Sequence, residues 1–406
     1  MITQIDKQAP LVLNFLPICD GGGQQNALNF IDTLLDKECA KTNVEAVVRC
    51  GSNVHHRCHE IGLKCVVVPS GRFGRLRFEV SCRSVFRRGQ VCFTLLGPVM
   101  LSSAGYLLNI NGNAYSNLFY PEVNFWSDLP VGHRMLAEAT DWLRRRYTSK
   151  ADYWIFETEV LRTRAIKLCG FPEDRVAVVP MAVSRLVSPE KVCRATKSEF
   201  ELGLKPGFKF LFLNGAIPNK RIHVLPLLAM EMLLSGTRDF VFITTMNPEA
   251  WYTRDIIARF RAIKLEQHFQ NVGPVAPDRV ASLIACADAM CTFSRLESFS
   301  NNFVEAWTMQ VPLVATSSDW AKAACGRSAL YVNPENFQEC ALALGRLMQD
   351  ADIGKSLVQE GKLQLKRYPT AQEKTRLYFK EIERACGLGF CARRLQNSIR
   401  WPRFVG

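Results

Sequence analysis

Short apolar runs alternate along the chain with longer stretches in which apolar residues recur every three to four positions. The runs at 11–16, 44–49, 65–68, 91–95, 154–156 and 176–179 predict strands, and 26–35 predicts an amphipathic helix. A second set follows at 210–213, 240–244, 289–293, 313–316 and 330–332. Helical stretches at 224–234, 255–265, 279–286 and 337–348 separate its members. Strand–helix alternation implies α/β architecture, with parallel sheets covered on both faces. One open sheet would not comfortably hold so many units, so the pattern predicts two doubly wound, Rossmann-like domains. Their seam falls near 181–206, where Pro189 and Pro206 sit among scattered charge. The predicted domains are 1–185 and 186–366. Ligands of such sheets sit at the carboxyl ends of the strands, and a cleft between two facing sheets is the default site.

Composition adds little until charge is considered. The 406 residues are 48% hydrophobic and 22% charged, which excludes disorder, collagen, coiled coil and a small disulfide scaffold. The formal net charge is +13 and points to an anionic partner. Residues 186–365 are nearly balanced, with 19 basic and 18 acidic side chains. The surplus lies in 1–185, with 22 against 17, and in 366–406, with 10 against 3. Fifteen cysteines, an odd number with no Cys-x-x-Cys pair, suit a reduced, cytoplasmic compartment. The first ten residues do not read as a signal peptide. Residues 89–121 carry no charge, but Gly97-Pro98, Gly105 and the 109–113 asparagines break the run. Buried strands and their loops fit it better than a spanning helix.

The most informative stretch is Ser294-Arg-Leu-Glu-Ser-Phe-Ser-Asn-Asn-Phe-Val-Glu305. A strand precedes it, and a helix should start near Asn301 with Ser298 or Ser300 as cap. Glu297 then lies in the loop and Glu305 on the helix. The free N–H groups at a helix start favour a phosphate, and flanking carboxylates accept bonds from sugar hydroxyls. The plainer reading makes Glu297 an acid at a helix start and Glu305 a surface residue. In Asn214-Gly-Ala-Ile-Pro-Asn-Lys220, Gly215 permits a tight strand exit, and Lys220 and Arg221 stand near the next helix start. A cation there is unfavourable to the helix dipole, which suggests a ligand such as a leaving diphosphate. The run Gly21-Gly22-Gly23 after the first strand permits close approach of backbone to a ligand.

Glu297-Ser-Phe-Ser-x4-Glu305 resembles the Glu-x-Phe-Gly-x4-Glu signature of retaining GT-B glycosyltransferases, most closely glycosyltransferase family 4. Ala306 and Val311-Pro-Leu-Val-Ala315 follow as in that family. Ser318-Asp319, Cys325-Gly326 and Ala329-Leu-Tyr331 resemble a bacterial polysaccharide and lipopolysaccharide biosynthesis subset. The resemblance is strongest over 205–370 and continues more weakly over 10–183. It implies two facing GT-B domains, with the segment 367–406 packing back on the first. It also implies a hexosyltransferase that moves a sugar, with retention and without a metal or other cofactor, from a nucleotide-diphosphate donor to a bacterial surface glycan or lipid-linked saccharide.

Carried over residue by residue, the resemblance makes Glu297 and Lys220 catalytic. Glu305 would hold ribose hydroxyls and Glu297 the donor sugar, while Phe299 and Ser300 would offer backbone N–H groups to the diphosphate. Ser298, Asn301, Gly215, Lys220, Arg221, Gly22 and Gly23 complete the donor set. The family often has Gly at the place of Ser300. Many relatives carry a histidine in the first domain, but none stands between His59 and His133. The departing phosphate itself would then take the acceptor proton. Asn111, Asn113 and Glu122 are acceptor-binding candidates, or else caps of loops. Arginines 72, 75, 77, 83, 87 and 88, interleaved with apolar residues, read as a basic amphipathic helix for an anionic membrane, with Arg144–Arg146 and the tail (Arg393, Arg394, Arg400, Arg403, Phe390, Trp401, Phe404) extending it. Peripheral association with the inner face of the cytoplasmic membrane follows. No nucleic-acid module surrounds these arginines. The competing readings are a degenerate GT-B module without catalysis and a GT-B sugar-nucleotide epimerase.

Overall fold

The computed structural model describes residues 5–6, 9–18, 21–34 and 43–402. The end of the first predicted helix, at Leu35, and the tail residues Arg403 and Phe404 lie outside the described residues. The chain divides into two compact units, residues 1–182 with 369–406, and residues 183–368.

Among the described residues, the first unit builds a seven-stranded parallel sheet. Its strands are β1 (Leu11–Asn14), β2 (Val44–Arg49), β3 (Cys65–Val68), β4 (Val91–Thr94), β5 (Leu108–Asn113), β6 (Tyr153–Phe156) and β7 (Val176–Val178), in the order β3-β2-β1-β4-β5-β6-β7. The uncharged stretch supplies β4, a turn and β5, and the two strands are largely buried in the middle of the sheet. Asparagine and glycine are depleted in strands, so Leu-Asn-Ile-Asn-Gly-Asn reads locally as a loop. Pairing on both sides, with β4 and β6, makes it a strand. Gly112 admits this packing, since a Cβ there would lie 1.9 Å from the Leu95 carbonyl oxygen.

The helix Ala371–Leu388 packs on this unit, with Thr33 and Thr375 hydroxyls 2.6 Å apart and Tyr378 against Phe30 and Phe93. Beyond it, Arg175 donates to the carbonyls of Gly389 and Leu388, and Trp401 to Ser149. These bonds anchor the tail.

The second unit, again among the described residues, builds a six-stranded parallel sheet. Its strands are β8 (Phe208–Phe212), β9 (Phe240–Thr244), β10 (Phe269–Asn271), β11 (Ala289–Thr292), β12 (Leu313–Thr316) and β13 (Leu330–Val332), in the order β10-β9-β8-β11-β12-β13. Its core is rich in phenylalanine: Phe210, Phe212, Phe242 and Phe293 meet ring to ring.

Three expectations change. The glycine run does not precede a helix but forms its first turn, in Gly21–Thr33. The arginine-rich segment is not one helix: it is helical over Arg72–Ser81 and turns at Cys82–Ser84, so Arg83, Arg87 and Arg88 lie beyond the helix. The helix predicted at 255–265 runs instead over Trp251–Ala262. Among the described residues no helix is long and apolar enough to cross a membrane.

Candidate active site

In the second sheet, β8 and β11 are neighbours, and their chain connections leave in opposite directions along the sheet. Such a switch point opens a crevice at the strands' carboxyl ends. The two loops that leave these ends carry the residues singled out above. After β8 the chain makes a turn at Pro218–Lys220, and Arg221 takes a left-handed conformation at φ 54°. A second short turn, Ile222–Val224, precedes the helix Leu225–Leu234. Lys220 therefore closes a turn rather than opening a helix.

The two loops are laced by backbone. Arg295 N–H donates to the Asn219 carbonyl, and the Asn219 amide donates to the Leu296 carbonyl, both at 2.9 Å. This lacing brings Lys220 Nζ to 2.7 Å from Glu297 Oε1, with side chains 24% and 14% exposed. The Ser294 hydroxyl donates to the same Glu297 oxygen. An ammonium and a carboxylate 77 positions apart thus meet in one partly exposed corner. Arg221 reaches across to Glu335 at 2.7 Å.

The helix Asn301–Met309 starts beside this corner, with Ser300 as its cap residue. Ser300 makes no side-chain cap bond, and its φ of −101° is ordinary extended backbone. A side chain therefore fits at this loop position without strain. Phe299 is buried against Phe303 and Tyr368, which pins the loop by its ring. Asn302 donates to the Leu213 carbonyl and to Thr292, tying the helix start to the ends of both strands. Ser298 and Asn301 flank these residues in the same loop and first turn. Glu305, one turn on, is only 2% exposed and is no surface residue. Gly215 has no left-handed backbone, and a Cβ there would meet nothing within 4 Å. Its value is open space beside the loop rather than a conformational need.

The first unit has its own switch point, between β1 and β4. Gly23 approaches Leu96, and a Cβ on Gly97 would lie 2.6 Å from Pro17; Gly22 lies with Gly23 in the first turn of its helix. Asn111 donates to the Gly97 carbonyl, and Asn113 accepts from the Tyr115 N–H. Both asparagines are buried in β5 rather than exposed on a loop. Among the described residues the Asn113 amide nitrogen has no partner. Glu122 is held by Arg164 through both carboxylate oxygens, at 2.6 and 2.7 Å, and Arg164 stacks on Tyr120.

Sequence reasoning missed Lys374, on the helix Ala371–Leu388. It is 6% exposed and directs its Nζ at Met181 Sδ, 3.0 Å away. Burial pulls its pKa down to about 8, against the opposing pull of the Glu157 charge. A lone lysine in a helical pattern gives no local sign of burial. Among the described residues no group of three or more His, Cys, Asp or Glu side chains gathers as a metal site. The His55, His56, Cys58 and His59 cluster is spread along the helix Asn53–Glu60, with Cys58 buried.

Residues 208–350 match the family model described as glycosyl transferases group 1. That span holds both laced loops and the helix Asn301–Met309. No curated protein matches the chain. Among solved structures, sucrose-phosphate synthase of Thermosynechococcus elongatus aligns with a TM-score of 0.71 at 13% identity, over 94% of this chain and 100% of that one. HepE of Anabaena, solved in complex with UDP and glucose, aligns at 0.67 and 14%, over 92% and 99%. A glycosyltransferase of Rickettsia africae ESF-5 aligns at 0.67 and 12%, over 93% and 98%. Two parallel-sheet α/β units of seven and six strands, matched at these lengths, make the fold GT-B.

Proposed function

We propose that this chain is a glycosyltransferase that takes a hexose from a nucleoside-diphosphate donor and passes it, with retention, to a hydroxyl of a bacterial surface glycan or lipid-linked saccharide. The observation that carries the reading is the Lys220–Glu297 pair at the β8/β11 switch point, beside the start of the helix Asn301–Met309. The group 1 match over the same residues supports it, as does the UDP bound in the structurally similar HepE.

In this reading the diphosphate sits against the helix start and takes Lys220 from Glu297. Lys220 neutralises charge that grows as the bond from the anomeric carbon to the diphosphate breaks. Glu297, held by Ser294, turns to the donor sugar's hydroxyls. Ser298, Phe299, Ser300 and Asn301 line the diphosphate, with Arg221 and Gly215 beside it, and Gly22 and Gly23 are the first unit's share of the donor set. Glu305 takes the ribose hydroxyls. The acceptor oxygen bonds to the same face of the anomeric carbon, and its proton leaves on the departing diphosphate. No metal is needed, because Lys220 and the helix start supply the positive charge. Asn113, whose amide nitrogen has no partner among the described residues, and Glu122 are the acceptor-side groups. Exposed Phe73, Leu76 and Val80, with the surrounding arginines, suit an anionic inner-membrane surface.

A melting-temperature panel of nucleotide sugars, including GDP-mannose, UDP-galactose and UDP-glucose, tests the donor. One of them should raise the melting temperature of the wild type and leave that of Lys220→Ala unmoved. No rise with any nucleotide sugar would sink the reading.

A further inference from the structure

The first unit holds a second concavity that the proposed transfer site does not use. It is a basin of about 1940 Å³ at the amino-terminal edge of the sheet, the edge opposite Gly97 and Asn113. Five cationic side chains from four stretches of chain line it. Arg88 stands ahead of β4, Lys150 ahead of β6, Arg145 and Arg146 in the last turn of the helix Val131–Thr148, and Arg393 on the helix Arg393–Ser398.

Among the described residues, two carboxylates share the wall with these five cations. Asp152 is turned inward, where its two oxygens accept the N–H groups of Asn109 and Cys391 at 2.9 Å. Burial raises its pKa to about 7, so it carries less than a full charge near neutrality. Asp6 accepts the Ala9 N–H at 3.1 Å. Among the described residues no carboxylate pairs with Arg146, Lys150 or Arg393. Arg146 and Arg145 lie over the rings of Trp142 and Trp401, at 5.8 and 5.9 Å. Burial, and then the charge of Arg146, pulls the Lys150 pKa down.

A helix carboxyl terminus favours cations, which accounts for Arg145 and Arg146. It does not account for Arg88, Lys150 and Arg393, which other segments bring to the same hollow. Like charges gathered around a concavity repel one another and are relieved by an anion. We propose that this basin binds a phosphate group, either of a soluble phosphate or of an anionic lipid headgroup. The exposed Val131, Met135 and Trp142 on the helix that carries Arg145 and Arg146 give a lipid's chains somewhere to lie. The proposal stands independently of the transferase reading.

The test uses the full chain carrying Lys220→Ala, so that the second unit's grip on phosphate is weakened and the basin's share of binding is read from the triple variant. Calorimetric titration with inorganic pyrophosphate should show binding that Arg146→Gln, Lys150→Gln and Arg393→Gln together weaken at least about tenfold, an expected loss for removing three charge-assisted contacts. Sedimentation with phosphatidylcholine vesicles, plain or mixed with phosphatidic acid, forms the second arm. Pelleting only with phosphatidic acid, abolished by the triple variant, supports the headgroup as the source. Pyrophosphate binding without pelleting supports a soluble phosphate. Absence of both, or binding undiminished in a folded triple variant, overturns the proposal.

Discussion

At the carboxyl edge of the second sheet, the ammonium of Lys220 lies 2.7 Å from Glu297 and is about a quarter exposed. In the first unit, the ammonium of Lys374 is buried, with the Met181 thioether as its acceptor and the Glu157 charge in the neighbourhood. The first group is paired, reachable and held by loops whose backbones are laced together. The second is sealed in a core. Charge that can exchange its partner for a ligand serves recognition, whereas charge shut away from water costs stability. The two switch points differ in the same sense. One displays Lys220, Glu297 and Arg221, and the other displays glycine and asparagine packed against backbone.

The largest effect should come from glycine. Gly112→Ala drives a methyl into the Leu95 carbonyl oxygen and should cost roughly 3 kcal/mol or more, as backbone clashes in a core do. Gly215→Ala, beside the loop of the second sheet, meets open space and should leave denaturant unfolding unchanged. Equal tolerance at both positions would remove the contrast between a packed edge and an open one.

Lys374→Met sharpens the comparison further. The folded-state pKa lies below the ordinary lysine value of 10.5, so the unfolded chain binds more protons between about pH 8 and 10.5. The burial penalty is therefore full below pH 8 and fades as pH rises through that window. Lys374→Met should raise stability at pH 7 by about 1–3 kcal/mol, with the gain shrinking toward pH 10.5. A gain that does not change with pH would contradict the assignment.

The alternation of strand and helix was legible residue by residue. The runs at 44–49, 65–68, 240–244, 313–316 and 330–332 are strands in the structure. β5 was hidden because Asn and Gly disfavour strands, and only its two neighbours overrule that preference. β10 was hidden because Phe269-Gln-Asn has one apolar residue in three, so it shows no apolar run. Within the site, the position of Glu297 in a loop and Glu305 on a helix follows from local pattern. Its meeting with Lys220 does not, since strand order alone brings together residues 77 positions apart. The roles of Asn219 and Ser294 in holding that meeting carry no local signal either. The buried state of Lys374 depends on a helix packing on a sheet laid down two hundred residues earlier.

The central claim is that the Lys220–Glu297 corner transfers the sugar. Its direct test is the release of nucleoside diphosphate at saturating donor by the wild type, Lys220→Ala and Glu297→Ala. Removing a group that stabilises developing charge should lower turnover by about a hundredfold or more. The pair is partly exposed, so each variant should lose no more than about 1 kcal/mol of stability. Collapse of turnover in both folded variants is the predicted result, and wild-type turnover in either would contradict it.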